Sequence, residues 1–306
     1  MRAVVLNEFG PPENLILTEM PDPVPGPGEV LVDVQLANIT FVETQLRAGR
    51  PPYPPMAPRL PVVLGNGVAG LIEGQQVITT TGGKGGYAER TVVPRSAPIP
   101  VPAGLALADA IALLADGRTA TALIRAAAPR PGETVLVEAA AGGVGSLLVQ
   151  LARNAGAQVV AAARGPRKLA LAKELGADVS VDYSDPSWAD GVPGPLDVVF
   201  DGVGGPIAAA AFGLLHRGGR MLSYGAASGS FAAIDDAEAT RRGISLVRGM
   251  GVSPEQMNEL SIAALTEAAA GRLRPVIGQT FPLERAAVAH AAIERRETVG
   301  KTLLTV

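Results

Sequence analysis

No cysteine occurs among the 306 residues of this chain. Disulfides, thiolate nucleophiles and any zinc site that draws on cysteine are therefore excluded. Histidine is scarce as well: His216 and His290 are the 2 in the chain. They lie far apart with no ligand spacing around them, so no metal site is expected, and each is expected at the surface or as a cap. His216 and Arg217 follow an alanine-rich run, where cations favour a helix C-terminus. Long apolar runs are missing too. The best candidate, 139–152, is too short to span a bilayer and is broken by glycines. The first residues, Met1-Arg2-Ala3-Val4-Val5-Leu6-Asn7-Glu8, lack the apolar core of a secretory signal, so a cytoplasmic location is the expectation. Neither sign of charge is in large excess. The 26 basic and 29 acidic residues leave a net charge of −3, which gives no electrostatic claim on nucleic acid or anionic membranes.

What remains is a globular composition, 47% hydrophobic and 18% charged. The length suits about two domains of ordinary size. The first third reads as β-rich: segments 4–6, 30–36, 77–80 and 91–93 look like short strands between Pro/Gly punctuation. Pro51, Pro52, Pro54, Pro55, Pro58 and Pro61 mark a stiff, extended loop. From about Thr119 the texture becomes strand–helix alternation. Strands are expected at 133–138, 158–163, 196–200, 220–224 and 244–248. Helices are expected at 144–154, at 166–175 with Gly176 as terminator, and from Pro206. Apolar strands alternating with helices indicate a parallel, doubly wound sheet. Ser253-Pro254-Glu255-Gln256 opens a further helix: Ser253 can cap it, Pro254 suits its first turn and Gln256 can complete a capping box. The tail, 276–277 and 302–306, returns to strand. Residues 1–115 and 253–306 are thus expected to form one β-rich domain, interrupted by a Rossmann dinucleotide-binding domain over 116–252.

The stretch Ala139-Ala140-Ala141-Gly142-Gly143-Val144-Gly145 follows an expected strand and opens an expected helix. Pyrophosphate needs backbone N–H groups that it can approach closely, and a side chain would block that approach. Gly142 can make the turn, Gly143 can sit under the phosphates, and Gly145 can let helix and strand pack closely. Placed inside a βαβ unit, the cluster indicates dinucleotide binding; the alternative is a tight structural turn. The end of the second strand selects the cofactor. NAD sites place an acid there for the ribose hydroxyls. Here the sequence is Ala161-Ala162-Ala163-Arg164-Gly165-Pro166-Arg167-Lys168, with no acid. Arg164 and Lys168 suit a 2′-phosphate, which points to NADPH.

With these residues in view, the chain resembles the zinc-free quinone oxidoreductase (zeta-crystallin-like) branch of the medium-chain dehydrogenase/reductase superfamily over nearly its whole length. The markers are Gly85-Gly86-Tyr87-Ala88-Glu89, the 139–145 loop, Leu175-Gly176-Ala177-Asp178, Asp197-Val198-Val199-Phe200-Asp201-Gly202-Val203-Gly204-Gly205 and Gly225-Ala226-Ala227-Ser228-Gly229. The resemblance implies a Rossmann-type sheet inserted into a β-rich, GroES-like catalytic domain. It implies that Lys168, Tyr183 and Arg296 hold the 2′-phosphate, that Thr119 lies near the nicotinamide, and that Gly225 lies in the cofactor site. Two departures bear on the substrate. Relatives often carry Asn where this chain has Thr40, with Asn38 two places earlier, and an acid where it has Gly67. The 70–77 stretch is also shorter, which implies a trimmed hairpin.

The activity so implied is hydride transfer from NADPH to a quinone. No dedicated acid is required, because a quinone oxygen can be protonated by solvent, and none is evident. Thr40 and Tyr53 are candidates to line the substrate pocket. Two alternatives stand beside it: an enoyl or alkenal reductase, with an enone as its small-molecule substrate, and a non-catalytic NADPH-binding redox sensor. A homodimer is expected, because Ile244-Ser245-Leu246-Val247-Arg248 would be the terminal strand of the sheet and is poorly protected as a free edge.

Overall fold

A computed structural model describes residues 1–52, 54–249 and 252–306. By contact density the chain divides into two units, Met1–Ala115 with Leu265–Val306, and Asp116–Ala264. The first boundary falls inside one helix and the second inside another.

In the first unit the chain runs β1 (Arg2–Leu6), β2 (Leu15–Glu19), β3 (Glu29–Ile39), α1 (Phe41–Arg47), β4 (Val62–Val63), β5 (Gly67–Ile72), β6 (Gln75–Thr80), β7 (Arg90–Pro94) and β8 (Ile99–Pro100). α2 (Leu107–Ala127) leads into the second unit. That unit holds β9 (Thr134–Glu138), α3 (Gly143–Asn154), β10 (Gln158–Ala163), α4 (Pro166–Glu174), β11 (Val179–Asp182), β12 (Leu196–Asp201), α5 (Gly205–Gly213), β13 (Leu215–Ser223), α6 (Asp236–Arg242) and β14 (Ser245–Arg248). α7 (Pro254–Ala269) returns to the first unit, which ends with β15 (Ile277–Pro282), α8 (Ala286–Glu294) and β16 (Lys301–Thr305). Among the described residues no helix is long and apolar enough to cross a membrane.

The first unit carries two sheets. One has the order β2-β1-β4, the other β15-β16-β3-β5-β6-β8 with β7 paired to β3. Its core gathers Val32, Val34 and Ala37 of β3, Val68 of β5 and Leu304 of β16. The trimmed hairpin is visible as the tightest connection available. β5 and β6 pair up to Ile72↔Gln75, leaving Glu73 and Gly74 as a two-residue turn with φ 50° and 83°. Positive φ at both positions matches the right-handed strand twist. The proline-rich stretch is less uniform than an extended loop, since Pro54–Met56 closes one 3-10 turn.

The second unit is one six-stranded parallel sheet in the order β11-β10-β9-β12-β13-β14. Its strands are short apolar runs because helices cover the sheet: β9 has burial only at its four last positions and β10 only at its five last. The helices carry their own punctuation. Gly165, at φ 81°, precedes Pro166 at the start of α4. Asp235 caps α6 by accepting from the Ala237 N–H at 3.0 Å, and Gly243, at φ 66°, ends it. The capping box at α7 forms as expected. Gln256 Oε1 accepts from the Ser253 N–H at 2.8 Å, and Ser253 Oγ accepts from the Gln256 N–H at 3.4 Å.

One histidine departs from the expectation of a surface residue. His290 is fully buried in α8, where its Nε2 lies 3.0 Å from the Tyr87 hydroxyl. Burial, helped by the Arg47 charge, lowers its pKa to about 3, so it is a neutral core residue. His216 lies within β13, beyond the end of α5, and its Nε2 sits 2.7 Å from Asp197 Oδ1. That carboxylate, more than any helix terminus, raises its pKa.

Candidate cofactor site

Every strand of the second unit runs the same way, so every strand ends on one edge of the sheet. β9 ends in the 139–142 loop, β10 in Arg164, β11 in Tyr183, β12 in Gly202 and β13 in Tyr224-Gly225. The strand order reverses between β9 and β12. A parallel sheet opens a crevice at such a point, outside the carboxyl ends of the strands. Of the expected residues, Arg164, Tyr183 and Gly225 follow these strand ends in the chain.

The glycine loop is tighter than its composition implies. Its left-handed residue is Ala139, at φ 48°, whereas Gly142 is extended at φ −82° and ψ 177°. Gly142 closes the turn as donor, its N–H 2.8 Å from the Ala139 oxygen, and a β-carbon there would lie 3.2 Å from that oxygen. Close approach, and not an unusual φ, requires glycine. At Gly145 the need is stronger: a β-carbon would fall 2.3 Å from the Ala139 oxygen and 2.9 Å from its carbonyl carbon. This is the close helix–strand packing expected of it. At Gly143 the obstacle is a side chain. A β-carbon would lie 1.9 Å from Asp116 Oδ2. Asp116 was not anticipated from the sequence, and it sets a carboxylate beside the first turn of α3.

Val144 and Gly145 lie in that first turn, whose leading N–H groups have no intrahelical acceptor and face the crevice end of the sheet. Free N–H groups at a helix N-terminus suit a pyrophosphate, here with the Asp116 carboxylate beside them. Arg164 is exposed directly after β10, and Lys168 is half-buried in the first turn of α4. Tyr183 is half-buried, and its N–H bonds the Ala163 oxygen at 3.2 Å, which ties the end of β11 to the end of β10. Gly225 packs on Gly202: a β-carbon on Gly225 would lie 2.7 Å from the Gly202 oxygen. Thr119 is half-buried in α2, three residues past Asp116.

A family model described as zinc-binding dehydrogenase matches residues 143–267. A quinone oxidoreductase of Pseudomonas aeruginosa is 31% identical over 320 positions, covering 97% of this chain and 97% of its own. The chain belongs to the zinc-free quinone oxidoreductase branch of the medium-chain dehydrogenase/reductase superfamily. A 2-haloacrylate reductase of Burkholderia sp is 30% identical over 328 positions, covering 99% of this chain and 98% of its own. The quinone oxidoreductase of Thermus thermophilus, solved alone and with NADPH, superposes with a TM-score of 0.88 at 33% identity, covering 100% of both chains.

The segment that the zinc-binding family model matches contains no cysteine in this quinone oxidoreductase relative. Among the described residues no three His, Asp or Glu side chains gather as a ligand group. The remaining expected residues belong to the first unit. Arg296 adopts φ 61° just after α8, with its guanidinium 4.3 Å from the Phe41 ring centroid. Thr40 caps α1, and its N–H and hydroxyl both donate to Glu43 Oε2, at 2.6 and 2.9 Å. Glu43 Oε1 accepts from the Asn66 N–H at 2.9 Å, and burial raises the pKa of this carboxyl. The Thr40 proton is thus engaged, leaving its lone pairs to offer elsewhere. A β-carbon on Gly67 would lie 2.8 Å from Leu114 Cδ2 and 2.9 Å from Asn38 Nδ2, so these two side chains fill the room that a residue at 67 would need. Tyr53 lies outside the described residues.

Proposed function

We propose that this chain is an NADPH-dependent, zinc-independent reductase that passes hydride to a quinone. One observation carries the reading: the strand beside the glycine loop ends in Arg164, with Lys168 in the next turn and no acid within 161–168 of the sequence. The Thermus relative, solved with NADPH, supports the same cofactor. Residues 116–252 are the dinucleotide-binding domain of the proposal, and 1–115 with 253–306 the GroES-like catalytic domain.

When bound, NADPH supplies the hydride and thus two electrons. The N–H groups of Gly143, Val144 and Gly145 hold the pyrophosphate. Arg164, Lys168 and Tyr183 meet the 2′-phosphate, and Thr119 and Gly225 border the nicotinamide half. Thr40 lines the quinone pocket. A proton from water completes the hydroquinone, so the protein contributes orientation and exclusion of bulk solvent. The proposed location is the cytoplasm.

Purified protein should oxidise NADPH with benzoquinone or phenanthrenequinone, faster than with 2-alkenals. Dialysis against a strong chelator should leave that rate intact. Turnover confined to the alkenals would reassign the substrate, binding without turnover on any electrophile would make the chain a sensor, and a rate restored by zinc would overturn the metal-free chemistry.

The proposed assembly is a homodimer through β14. The sheet path ends at this strand, and Leu246 and Val247 are half-buried. The Gly249 N–H donates inward to Ser223 O at 3.1 Å. The period of two along a strand then turns the Leu246 N–H outward. Pairing two such edges is isologous and closes at two subunits. Leu246→Pro removes that outward donor and is expected to give monomers with an unchanged circular dichroism spectrum. Light scattering that finds a monomer for the unaltered protein at micromolar concentration sinks the dimer.

A further inference from the structure

Two acids end adjacent strands at the point where the strand order reverses. Glu138 closes β9 and Asp201 closes β12, and the pairing Phe200↔Val137 sets them side by side. Both have 0% exposure. They share a donor: the Val203 N–H lies 3.2 Å from Glu138 Oε2 and 3.2 Å from Asp201 Oδ1. Asp201 Oδ1 also accepts from the Gly204 N–H at 2.7 Å. The second oxygen of each carboxyl, Glu138 Oε1 and Asp201 Oδ2, is buried and has no N–H or O–H partner among the described residues. Two ionised carboxylates cannot share one donor in a buried position without strong repulsion, whereas one proton between them satisfies both orphaned oxygens.

The turn that these acids hold is the wall on which the proposed cofactor site leans. Gly204 and Gly205 are left-handed, at φ 74° and 55°. The Ser228 N–H donates to the Val203 oxygen at 2.8 Å, and the Tyr224 N–H to the Asp201 oxygen at 2.9 Å. A β-carbon on Gly202 would lie 2.5 Å from the Tyr224 hydroxyl, and Gly225 rests on the Gly202 carbonyl. Displacing Val203 and Gly204 therefore displaces Gly225.

We propose that Glu138 and Asp201 hold one proton between them, and that this acid–carboxylate pair positions the 202–205 turn so that losing the proton lowers cofactor affinity. The proposal rests on the reading that the crevice takes NADPH. Burial first, and the Asp201 charge second, raise Glu138 well above the usual carboxylate range, against the Val203 N–H. The other titratable groups facing the pair act in the same sense. Tyr224 at the end of β13 is itself pushed far up by burial, then by Glu138, Asp201, Asp116 of α2 and Tyr183 beyond β11. Affinity is full below the titration of the pair and falls as pH rises through it.

Glu138→Gln keeps the shape, donates to Asp201 and cannot ionise. Asp201→Asn keeps an acceptor for Val203 and Gly204 and offers an amide to Glu138. Infrared spectra of the cofactor-free protein, taken above the usual carboxylate range, should show a protonated carboxyl stretch that both variants lack. Fluorescence titration with NADPH should show the dissociation constant of the unaltered protein rising up to about tenfold per pH unit on the alkaline side. Glu138→Gln should stay flat, with Asp201→Asn as the second measurement should it fold poorly. A missing infrared band, a flat unaltered protein, or variants that follow it would each overturn the shared proton as the positioning element. Failure of NADPH to bind at any pH would overturn the cofactor reading instead, while the infrared band still decides the proton.

Discussion

Gly143→Val is expected to remove tight NADPH binding and to leave a folded chain. The β-carbon alone would lie 1.9 Å from Asp116 Oδ2 and 2.8 Å from its Cγ. Asp116 is buried, so its side chain cannot swing into open solvent, and either it or the start of α3 must move. Overpacking of this kind costs about 1–3 kcal/mol, less than the roughly 5–15 kcal/mol that holds a domain together. Binding has less to spare. The two branches of valine stand over the first-turn N–H groups that the pyrophosphate needs. Losing two charge-assisted hydrogen bonds, at about 1.5–3 kcal/mol each, weakens binding by roughly a hundredfold to ten-thousandfold. Asp116→Ala separates the two causes. If displacement of the carboxylate drives the loss, the double variant recovers affinity; if the new side chain blocks the phosphates, it does not. A folded Gly143→Val protein with unchanged affinity by calorimetry would put the phosphates elsewhere.

Five of the six strands of the second unit were legible, mostly as apolar runs that helices must cover, whereas β11 was missed because Val179–Asp182 is short and alternates with polar residues. Arg164 was legible because it directly follows β10, with Lys168 in the next turn, whereas Tyr183 came from the family resemblance. α2 was not legible. Gly117 stands in its interior, where glycine costs about 1 kcal/mol relative to alanine, and tertiary packing overrides that cost. β2 was missed since it buries only Leu15 and shows no alternation. Glu138 and Asp201 escaped for a different reason. An acid after an apolar run reads as the polar end of a strand, and only the parallel register shows that two such ends meet in the core. His290 had no local mark of burial either, because its partner, Tyr87, belongs to a distant part of the chain.

Removing Arg164 and Lys168 is expected to erase the preference for NADPH while NADH binding stays within about twofold. Each side chain offers a phosphate one charge-assisted contact, and its loss costs about 1.5–3 kcal/mol, or ten- to a hundredfold in affinity. Arg164→Ala should have the larger effect. A guanidinium can meet a phosphate with two parallel N–H donors, whereas an ammonium is a point charge. Arg164 also helps to hold Asp182 ionised, behind the Ser184 hydroxyl and the Ser184 and Gly165 N–H groups. The Gly165 N–H donates to Asp182 Oδ2 at 2.9 Å, which anchors this carboxylate at the very turn where the 2′-phosphate is placed. Without Arg164 its negative charge stands less opposed and repels the phosphate. The double variant should exceed the product of the two single losses, because both residues serve one phosphate and either alone retains part of it. Added salt should weaken NADPH binding by the unaltered protein and scarcely touch the double variant, since Arg164 is exposed and its attraction is screened. Equal weakening of NADH and NADPH in either single variant would remove these residues from the 2′-phosphate site.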